Sequence, residues 1–166
     1  PETAVVFCHT KIQCDEVADF LRGHQIDALA IHGDLDQRER DQVLVRFANN
    51  SCAVLVATDV AARGLDIKSL KAVINYELPR DPEIYVHRIG RTGRAGASGQ
   101  AVSLVSADEI KQLFDIERLI KQLLPRKQID GFEPVHGLPE SRLDTRPIRA
   151  KKSKKPKVGH RDGQRS

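Results

Sequence analysis

The sequence predicts an α/β domain in which a mainly parallel sheet of at least five strands lies between two layers of helices. Short β-branched runs alternate with amphipathic segments along the chain, and the predicted strands are apolar almost throughout. Parallel strands buried on both faces show such continuous apolar runs, and each needs a crossover helix to reach the next strand. The length of 166 residues allows one domain with a full hydrophobic core.

In the first half of the chain, strand and helix alternate strictly. The predicted order, starting with a strand, is 4–10, 11–24, 27–33, 36–48 and 53–59. The first helix has one apolar face because Cys14, Val17 and Leu21 recur at spacings of three and four residues. The second helix begins at Asp36, which fits an N-cap with Glu39 three residues on.

The second half continues the alternation, in the order 71–77, 82–94, 100–105 and 106–124. The helix at 82 follows Asp81 as N-cap and has Pro82 at its first position, where proline is favoured. The last helix begins at Ser106 and ends before Pro125. Because periodicity fades there, we expect one domain over 1–124 and a flexible, disordered, Pro-containing basic tail over 125–166.

The net charge of +4 belongs to the tail, since residues 1–124 sum to −3 and residues 125–166 to +7. A basic, aromatic-poor tail favours a polyanionic partner. No apolar run approaches the roughly 20 residues of a membrane span and no signal peptide is evident, so we expect a cytoplasmic protein without membrane contact. The chain enters its first strand at residue 4 without an initiator Met, from which we expect a piece of a longer polypeptide.

The three cysteines, Cys8, Cys14 and Cys52, form no C-x-x-C pair. A structural zinc site needs four ligands at short spacings, so we expect no metal site and interpret these residues as reduced thiols in the core.

Small polar residues lie at the ends of three of the predicted strands. Thr10 lies at the carboxyl end of the first strand, Gly33 at that of the second and Thr58 at that of the third. Glycine lets a backbone approach a ligand closely, and hydroxyls bind phosphate oxygens, so these positions fit phosphate or sugar contacts at one sheet edge. Turn formation and helix capping are the alternative interpretation of each residue taken singly.

The predicted helix at 82–94 presents cations on one face. Guanidinium groups there would match the oxygens of a polyphosphate, although a solvated basic face is the alternative interpretation. Its apolar side holds Tyr85, Val86 and Ile89, and its opposite side holds His87, Arg91 and Arg94.

Arg40 is a second unusual cation, because it lies on or beside the apolar stripe of its helix. A charge there needs a partner. Arg40 therefore either pairs with Asp36 or reaches over the sheet edge to a ligand.

Four segments together resemble the second RecA-like lobe of superfamily 2 helicases, and specifically of DEAD-box ATP-dependent RNA helicases. They are VVFCHT at 5–10, HGD at 32–34 with Gln37-x-x-Arg40, VATDVAARGLD at 56–66 and HRIGRTGR at 87–94. The resemblance covers about 4–124. The core is also similar to the bacterial DbpA type, whereas the tail resembles bacterial RhlE-type proteins, which favours an RhlE-like member.

The resemblance implies roles for individual residues. Arg91 and Arg94 resemble the arginine fingers that reach the ATP γ-phosphate, Gly64 and Asp66 resemble its ribose contacts, and His87 resembles the residue that couples the two lobes. The implied contacts to the RNA backbone are Thr10, Gly33, Gln37, Arg40 and Thr58.

The first lobe's motifs are absent from this sequence. Neither G-x-x-x-x-G-K-[ST] nor D-E-A-D occurs, so the resemblance implies that Mg²⁺ is held mainly by an N-terminal RecA-like lobe. We expect this chain alone to be inactive and the whole protein to unwind short RNA duplexes with ATP. Ribosome-assembly or RNA-degradation complexes are further expected partners. A non-catalytic RNA-binding module and a DNA helicase lobe are the alternatives.

Overall fold

The structure is a computed structural model that describes residues 3–49, 51–63, 70–92 and 99–147. Its sheet has five strands, all parallel, in the order β2-β3-β1-β4-β5, which confirms the predicted fold class. The strands are β1 Ala4–Cys8, β2 Ala28–Ile31, β3 Val54–Thr58, β4 Ala72–Asn75 and β5 Gln100–Ser103. The helices are α1 Lys11–Gly23, α2 Gln37–Ala48, α3 Asp59–Arg63, α4 Pro82–Ile89 and α5 Ile110–Ile120, the last preceded by a 3₁₀ turn at Ala107–Glu109.

Alternate side chains of each strand point to opposite sides of the sheet and enter separate clusters. On one side Val6 and Cys8 of β1 pack with α1, and on the other side Val5 and Phe7 pack with α2 and α3. The sheet is therefore covered on both faces, as the apolar strands predict. A third cluster joins α4 to α5 through Leu78, Tyr85, Leu113 and Ile116.

Each strand is two or three residues shorter than predicted, and the larger differences concern three helices. Helix α4 ends at Ile89 and not at residue 94, because Gly90 follows as its C-cap. Helix α5 ends at Ile120, where Lys121 adopts a left-handed conformation with φ of 55°. The short helix α3 lies where the sequence predicted only a loop, directly after Thr58.

The described part of the predicted tail, 125–147, contains no helix or strand. It nevertheless returns to α5 through hydrogen bonds to Glu117 and Arg118. Within the described residues, none of the helices combines the length and apolarity needed to cross a bilayer.

The cysteines give a test of the core. All three are free and buried. The neighbouring Cys14 thiol and burial raise the pKa of Cys8, and burial raises the pKa of Cys52. Hydrogen bonding with Cys8 lowers the pKa of Cys14, but Cys14 is as deeply buried as the other two. Because a reagent in solution cannot reach a buried thiol, we expect none of the three to react rapidly with a disulfide reagent in the native protein at pH 8. All three should react after unfolding in guanidinium. Rapid reaction of any thiol with the reagent in the native protein would contradict this packing.

Candidate nucleotide and nucleic-acid interface

The carboxyl ends of the parallel strands bring the predicted RNA-contact residues to one edge of the sheet. β1 and β3 are paired so that Cys8 lies opposite Thr58, and β2 pairs with β3 on its other side. Thr10 and Gly33 follow β1 and β2, so both lie at the same edge as Thr58. Gly33 and Thr58, which are 25 positions apart in the chain, thereby lie at the ends of neighbouring strands, as in other open parallel sheets.

Thr10 begins α1 as its N-cap. The Thr10 hydroxyl accepts a hydrogen bond from the Gln13 backbone N–H at 3.2 Å, and the Gln13 side chain accepts the Thr10 N–H at 3.3 Å. This reciprocal capping satisfies two of the four unpaired donors at a helix start. Thr10 itself is exposed, so the capping interpretation and a ligand contact are compatible.

The loop that carries Gly33 is held by its neighbours. His32 is buried, and its Nδ1 accepts the Asp34 backbone N–H at 3.3 Å. Its Nε2 must then carry the hydrogen, which it donates to Asp15 at 3.0 Å. Lys11 donates to the Asp34 carboxylate at 2.7 Å and lowers the pKa of that carboxyl. Gly33 remains exposed between these fixed residues.

At the start of α2, the structure decides between the two interpretations of Arg40. Asp36 uses its carboxylate to cap the helix, accepting the Glu39 N–H at 2.8 Å. Arg40 is half-buried and reaches across to α3, where its Nη2 donates to the Ala61 carbonyl at 3.5 Å. The predicted pairing with Asp36 is therefore not made. Gln37 is exposed and donates to Asp41 at 2.8 Å.

Thr58 is buried at the end of β3, and its hydroxyl accepts the Ala61 backbone N–H at 3.3 Å. This bond begins α3. Ala61 is therefore bonded on one side to Thr58 and on the other to Arg40. Thr58, α3 and α2 thus form one hydrogen-bonded unit at the sheet edge.

The predicted cationic face of α4 is only partly helical. His87 is exposed on the helix, whereas Arg91 is half-buried in the turn that follows it. Because α4 ends at Ile89, the helical spacing predicted from His87 to the arginines does not hold beyond Gly90. The apolar side also differs, since Val86 is 43% exposed. Three further predicted site residues, Gly64, Asp66 and Arg94, lie outside the described residues.

Arg88 is the residue that the sequence analysis missed. Its side chain is 2% exposed, and its guanidinium binds both carboxylate oxygens of Asp59 at 2.7 Å. Its Nη1 also donates to the Asn75 side chain at 3.1 Å and to the Glu77 carbonyl at 2.8 Å. The guanidinium carbon lies 5.0 Å from the centre of the Phe7 ring. One side chain therefore joins α4 to β1, β4 and the start of α3.

A signal for Arg88 was present in the sequence. It lies three residues after Tyr85 and next to Ile89, so helical periodicity places it on the buried side of α4. A charge on a buried face requires a partner, and Asp59 was available at a neighbouring strand end. The sequence does not show which acid lies close enough.

His9 was also missed. Its Nε2 contacts the Leu78 carbonyl at 2.9 Å and its Nδ1 contacts the Glu77 carboxylate at 2.7 Å. Both ring nitrogens thus face oxygen atoms of the segment that follows β4. The pair ties the end of β1 to the segment before α4.

The described residues offer no metal site. No group of three or more His, Cys, Asp or Glu side chains among them could hold an ion.

Removing the Arg88 guanidinium should destabilise the whole domain. We expect Arg88→Met to lower the free energy of unfolding by about 3 kcal/mol, because Asp59, Asn75 and the Glu77 carbonyl lose their donor in a buried position. Arg80→Met removes an exposed arginine and should change it by less than about 0.5 kcal/mol. Urea unfolding followed by circular dichroism measures both. Equal losses from the two variants would show that the network contributes nothing.

The comparisons with known proteins agree with this geometry. Residues 1–96 match the family described as the helicase conserved C-terminal domain. The chain is 61% identical over 112 residues to the ATP-dependent RNA helicase DbpA of Escherichia coli, which covers 68% of this chain and 24% of that protein.

Two solved structures share the fold. The E. coli DEAD-box protein SrmB, in a complex with the regulator of ribonuclease activity A, superposes with a TM-score of 0.78 at 37% identity, covering 84% of this chain and 82% of that one. A single-substitution variant of Dbp5 of Saccharomyces cerevisiae, bound to RNA and ADP BeF3, superposes with a TM-score of 0.68 at 34% identity, covering 74% of this chain and 33% of that one.

The chain spans only about a quarter of the length of the curated relatives that it matches. The resemblance to the second lobe of DEAD-box helicases is confirmed. This chain belongs to the helicase conserved C-terminal domain family and resembles the C-terminal RecA-like lobe of bacterial DEAD-box RNA helicases.

Proposed function

We propose that this chain is the second lobe of a DEAD-box ATP-dependent RNA helicase, which supplies part of the ATP site and half of the RNA-binding surface. The observation that carries the proposal is the gathering of Thr10, Gly33, Arg40 and Thr58 at one sheet edge, beside the helix that bears His87. Members of the matching family that are similar to this chain are named as ATP-dependent RNA helicases.

On the nucleotide side, Arg91 and Arg94 would neutralise the charge that develops on the γ-phosphate, and Gly64 and Asp66 would bind the ribose. His87 would contact the first lobe when the two lobes close. Arginine suits this role because its planar fork donates to two phosphate oxygens at once. Mg²⁺ would be held mainly by the N-terminal RecA-like lobe, because the motifs that hold it in the resembling family, G-x-x-x-x-G-K-[ST] and D-E-A-D, do not occur in this sequence.

On the RNA side, hydroxyl and backbone N–H groups would hold the sugar-phosphate backbone of one strand, without reading its bases. Thr10, Gly33 and Thr58 offer such groups, and Gln37 and Arg40 add side-chain donors. Binding a bent strand across this edge would exclude its partner strand, so the duplex would open locally.

Arg88 and Asp59 would couple the two surfaces. Asp59 directly follows Thr58 at the RNA edge, and Arg88 lies between His87 and the first predicted arginine finger. Their bidentate contact at 2.7 Å links the two edges directly. A movement imposed by ATP on α4 would therefore be passed to the RNA-binding edge through this pair.

We also propose a cytoplasmic location, an RhlE-like member with a DbpA-like core, and action in ribosome-assembly or RNA-degradation complexes. The 61% identity to E. coli DbpA supports the DbpA-like core, and the SrmB structure with the regulator of ribonuclease activity A supports a link to RNA degradation. No described helix could span a membrane.

The arginine-finger role is tested in the full-length polypeptide that carries this chain. We expect Arg91→Ala to lower RNA-stimulated ATP hydrolysis by about 10³-fold or more, because the transition-state charge loses its neutralising cation. Arg80→Ala should leave turnover within about twofold of the original. The isolated chain should hydrolyse no ATP.

The competing proposal, a non-catalytic RNA-binding module, makes the opposite prediction. It requires that Arg91→Ala leave ATP hydrolysis unchanged while removal of 126–166 abolishes RNA affinity. Stimulation by DNA as strong as by RNA would favour a DNA helicase lobe, since the 2′-hydroxyl distinguishes the two.

Gly33 separates an RNA contact from a structural role. A Cβ added at Gly33 would lie 3.6 Å from the Lys11 side chain, an ordinary contact, so the fold has room for alanine. We expect Gly33→Ala to weaken RNA binding severalfold, because the added methyl keeps the RNA backbone from close approach, with less than about 1 kcal/mol change in unfolding free energy. Gly23→Ala, at the far end of α1 with open space around it, is the matched control. Unchanged affinity for Gly33→Ala in a fluorescence anisotropy titration would remove Gly33 from the RNA surface.

A further inference from the structure

The charge of the tail is concentrated in its last part. Residues 125–147 contain four Lys or Arg and four Asp or Glu, so their net charge is zero. Residues 148–166 contain eight Lys or Arg and one Asp, so their net charge is +7. The whole excess of positive charge in 125–166 therefore belongs to the final 19 residues. The neutral segment before them needs an explanation other than attraction to a polyanion.

The neutral segment is anchored to α5 at Glu117. This glutamate is 2% exposed, an unusual position for a carboxylate. One of its oxygens accepts the Leu124 backbone N–H at 2.8 Å, and the other accepts the hydroxyl of Ser141. Arg126 donates to the Ser141 hydroxyl and to the Pro139 carbonyl, both at 2.7 Å. The buried carboxylate thus depends on Ser141 for one of its partners.

A second anchor lies one residue further along α5. Arg118 donates through Nη2 to the carbonyls of Arg146 and Pro147, both at 2.9 Å. Those carbonyls are presented by a tight turn in which Asp144 accepts the Arg146 backbone N–H at 3.0 Å and binds its guanidinium at 2.7 Å. Arg146 lowers the pKa of the Asp144 carboxyl well below its usual range. The anchor ends at the residue before the +7 segment begins.

The anchored segment lies on the helix that supports the candidate site. α5 packs on α4 through Leu113 and Ile116, which join Tyr85 in one apolar cluster. A neutral spacer without a positional role would need no buried carboxylate and no arginine clamp. Two independent anchors, separated by five residues from Ser141 to Arg146, fix both ends of one stretch of chain.

We propose that residues 138–147 form a strap that docks on α5 and fixes the point from which the +7 segment 148–166 reaches RNA. The proposal rests on the proposed RNA-binding function. The docked strap leaves only a few residues between the last anchored position and the lysines of the tail. Released, the chain would be free from residue 125 onwards. Because effective concentration falls as about the −3/2 power of tether length, release weakens the contribution of the basic segment without changing its charge.

Docking itself is measured by limited trypsin digestion of the full chain. Arg118→Gln removes the clamp on the Arg146 and Pro147 carbonyls, and Ser141→Ala removes the hydroxyl bound to Glu117. Both variants should speed cleavage after Arg142 severalfold over the original protein. Lys111→Gln is the matched control, because Lys111 lies on the same helix, is 88% exposed and has one weak ion pair, 4.0 Å from Asp115. Equal cleavage rates in all four proteins would overturn the strap.

The consequence for binding is measured with a fluorescent single-stranded RNA at low salt. We expect Arg118→Gln and Ser141→Ala to bind roughly three- to tenfold more weakly than Lys111→Gln. In chains that end at Pro147, the same substitutions should have no effect on affinity. Ser141 lies in the strap itself. Ser141→Ala therefore still tests the proposal if Arg118→Gln does not fold.

Failure of the strap and failure of the proposed function give different results. If the original chain binds RNA and loses affinity on removal of 148–166, but Arg118→Gln and Ser141→Ala match Lys111→Gln, the strap is wrong and the RNA-binding function stands. If the original chain does not bind RNA at all, the proposed function fails, while the trypsin digestion still decides whether 138–147 docks.

Discussion

The bidentate contact between Arg88 and Asp59 is the interaction on which the rest of the site depends. Arg88 is 2% exposed, and a buried guanidinium is stable only if its N–H donors find acceptors. Asp59, Asn75 and the Glu77 carbonyl supply them, and the Phe7 ring lies against the guanidinium. These partners come from three strand ends, so the arginine fixes the position of α4 relative to the sheet. His87, one residue before it, is thereby held at the edge that gathers the hydroxyl and glycine residues.

The candidate site uses its polar atoms twice. Thr10 caps α1, Thr58 begins α3, and Arg40 binds the carbonyl of Ala61. A structural role is therefore shown at these positions, and the ligand contacts proposed above would be added to it. Local hydrogen bonds set the geometry of an exposed edge, and a phosphate backbone arriving there would meet groups that are already oriented. Such preorganisation lowers the entropic cost of binding.

The cations of the chain act at two levels. In the domain they are spread along the chain and several have fixed partners, since Arg88 is buried, Arg40 bridges two helices and Lys11 fixes the loop after β2. In the last 19 residues they are numerous and close together in sequence. Between the two lies a neutral stretch held by Glu117 and Arg118, which gives the basic segment a defined origin. In the proposed function, the basic segment would attract RNA over a long range in a way that weakens with salt, and the sheet edge would bind it at short range. The two contributions are separated along the chain.

Sequence patterns alone determined the strand–helix alternation, the parallel sheet, the caps at Asp36 and Asp81 and the four motifs, because these depend on residues close together in the chain. The end of α4 at Ile89 was missed because Gly90 ends the helix where the side-chain pattern continues. The helix α3 was missed because it is short and begins with a hydrogen bond to the Thr58 hydroxyl. Which carboxylate pairs with Arg88, where Arg40 reaches and where the tail docks were decided only by the tertiary structure. Those pairs join residues 21 to 29 positions apart, and the strand order that brings them together is a property of the assembled sheet, which no local pattern encodes.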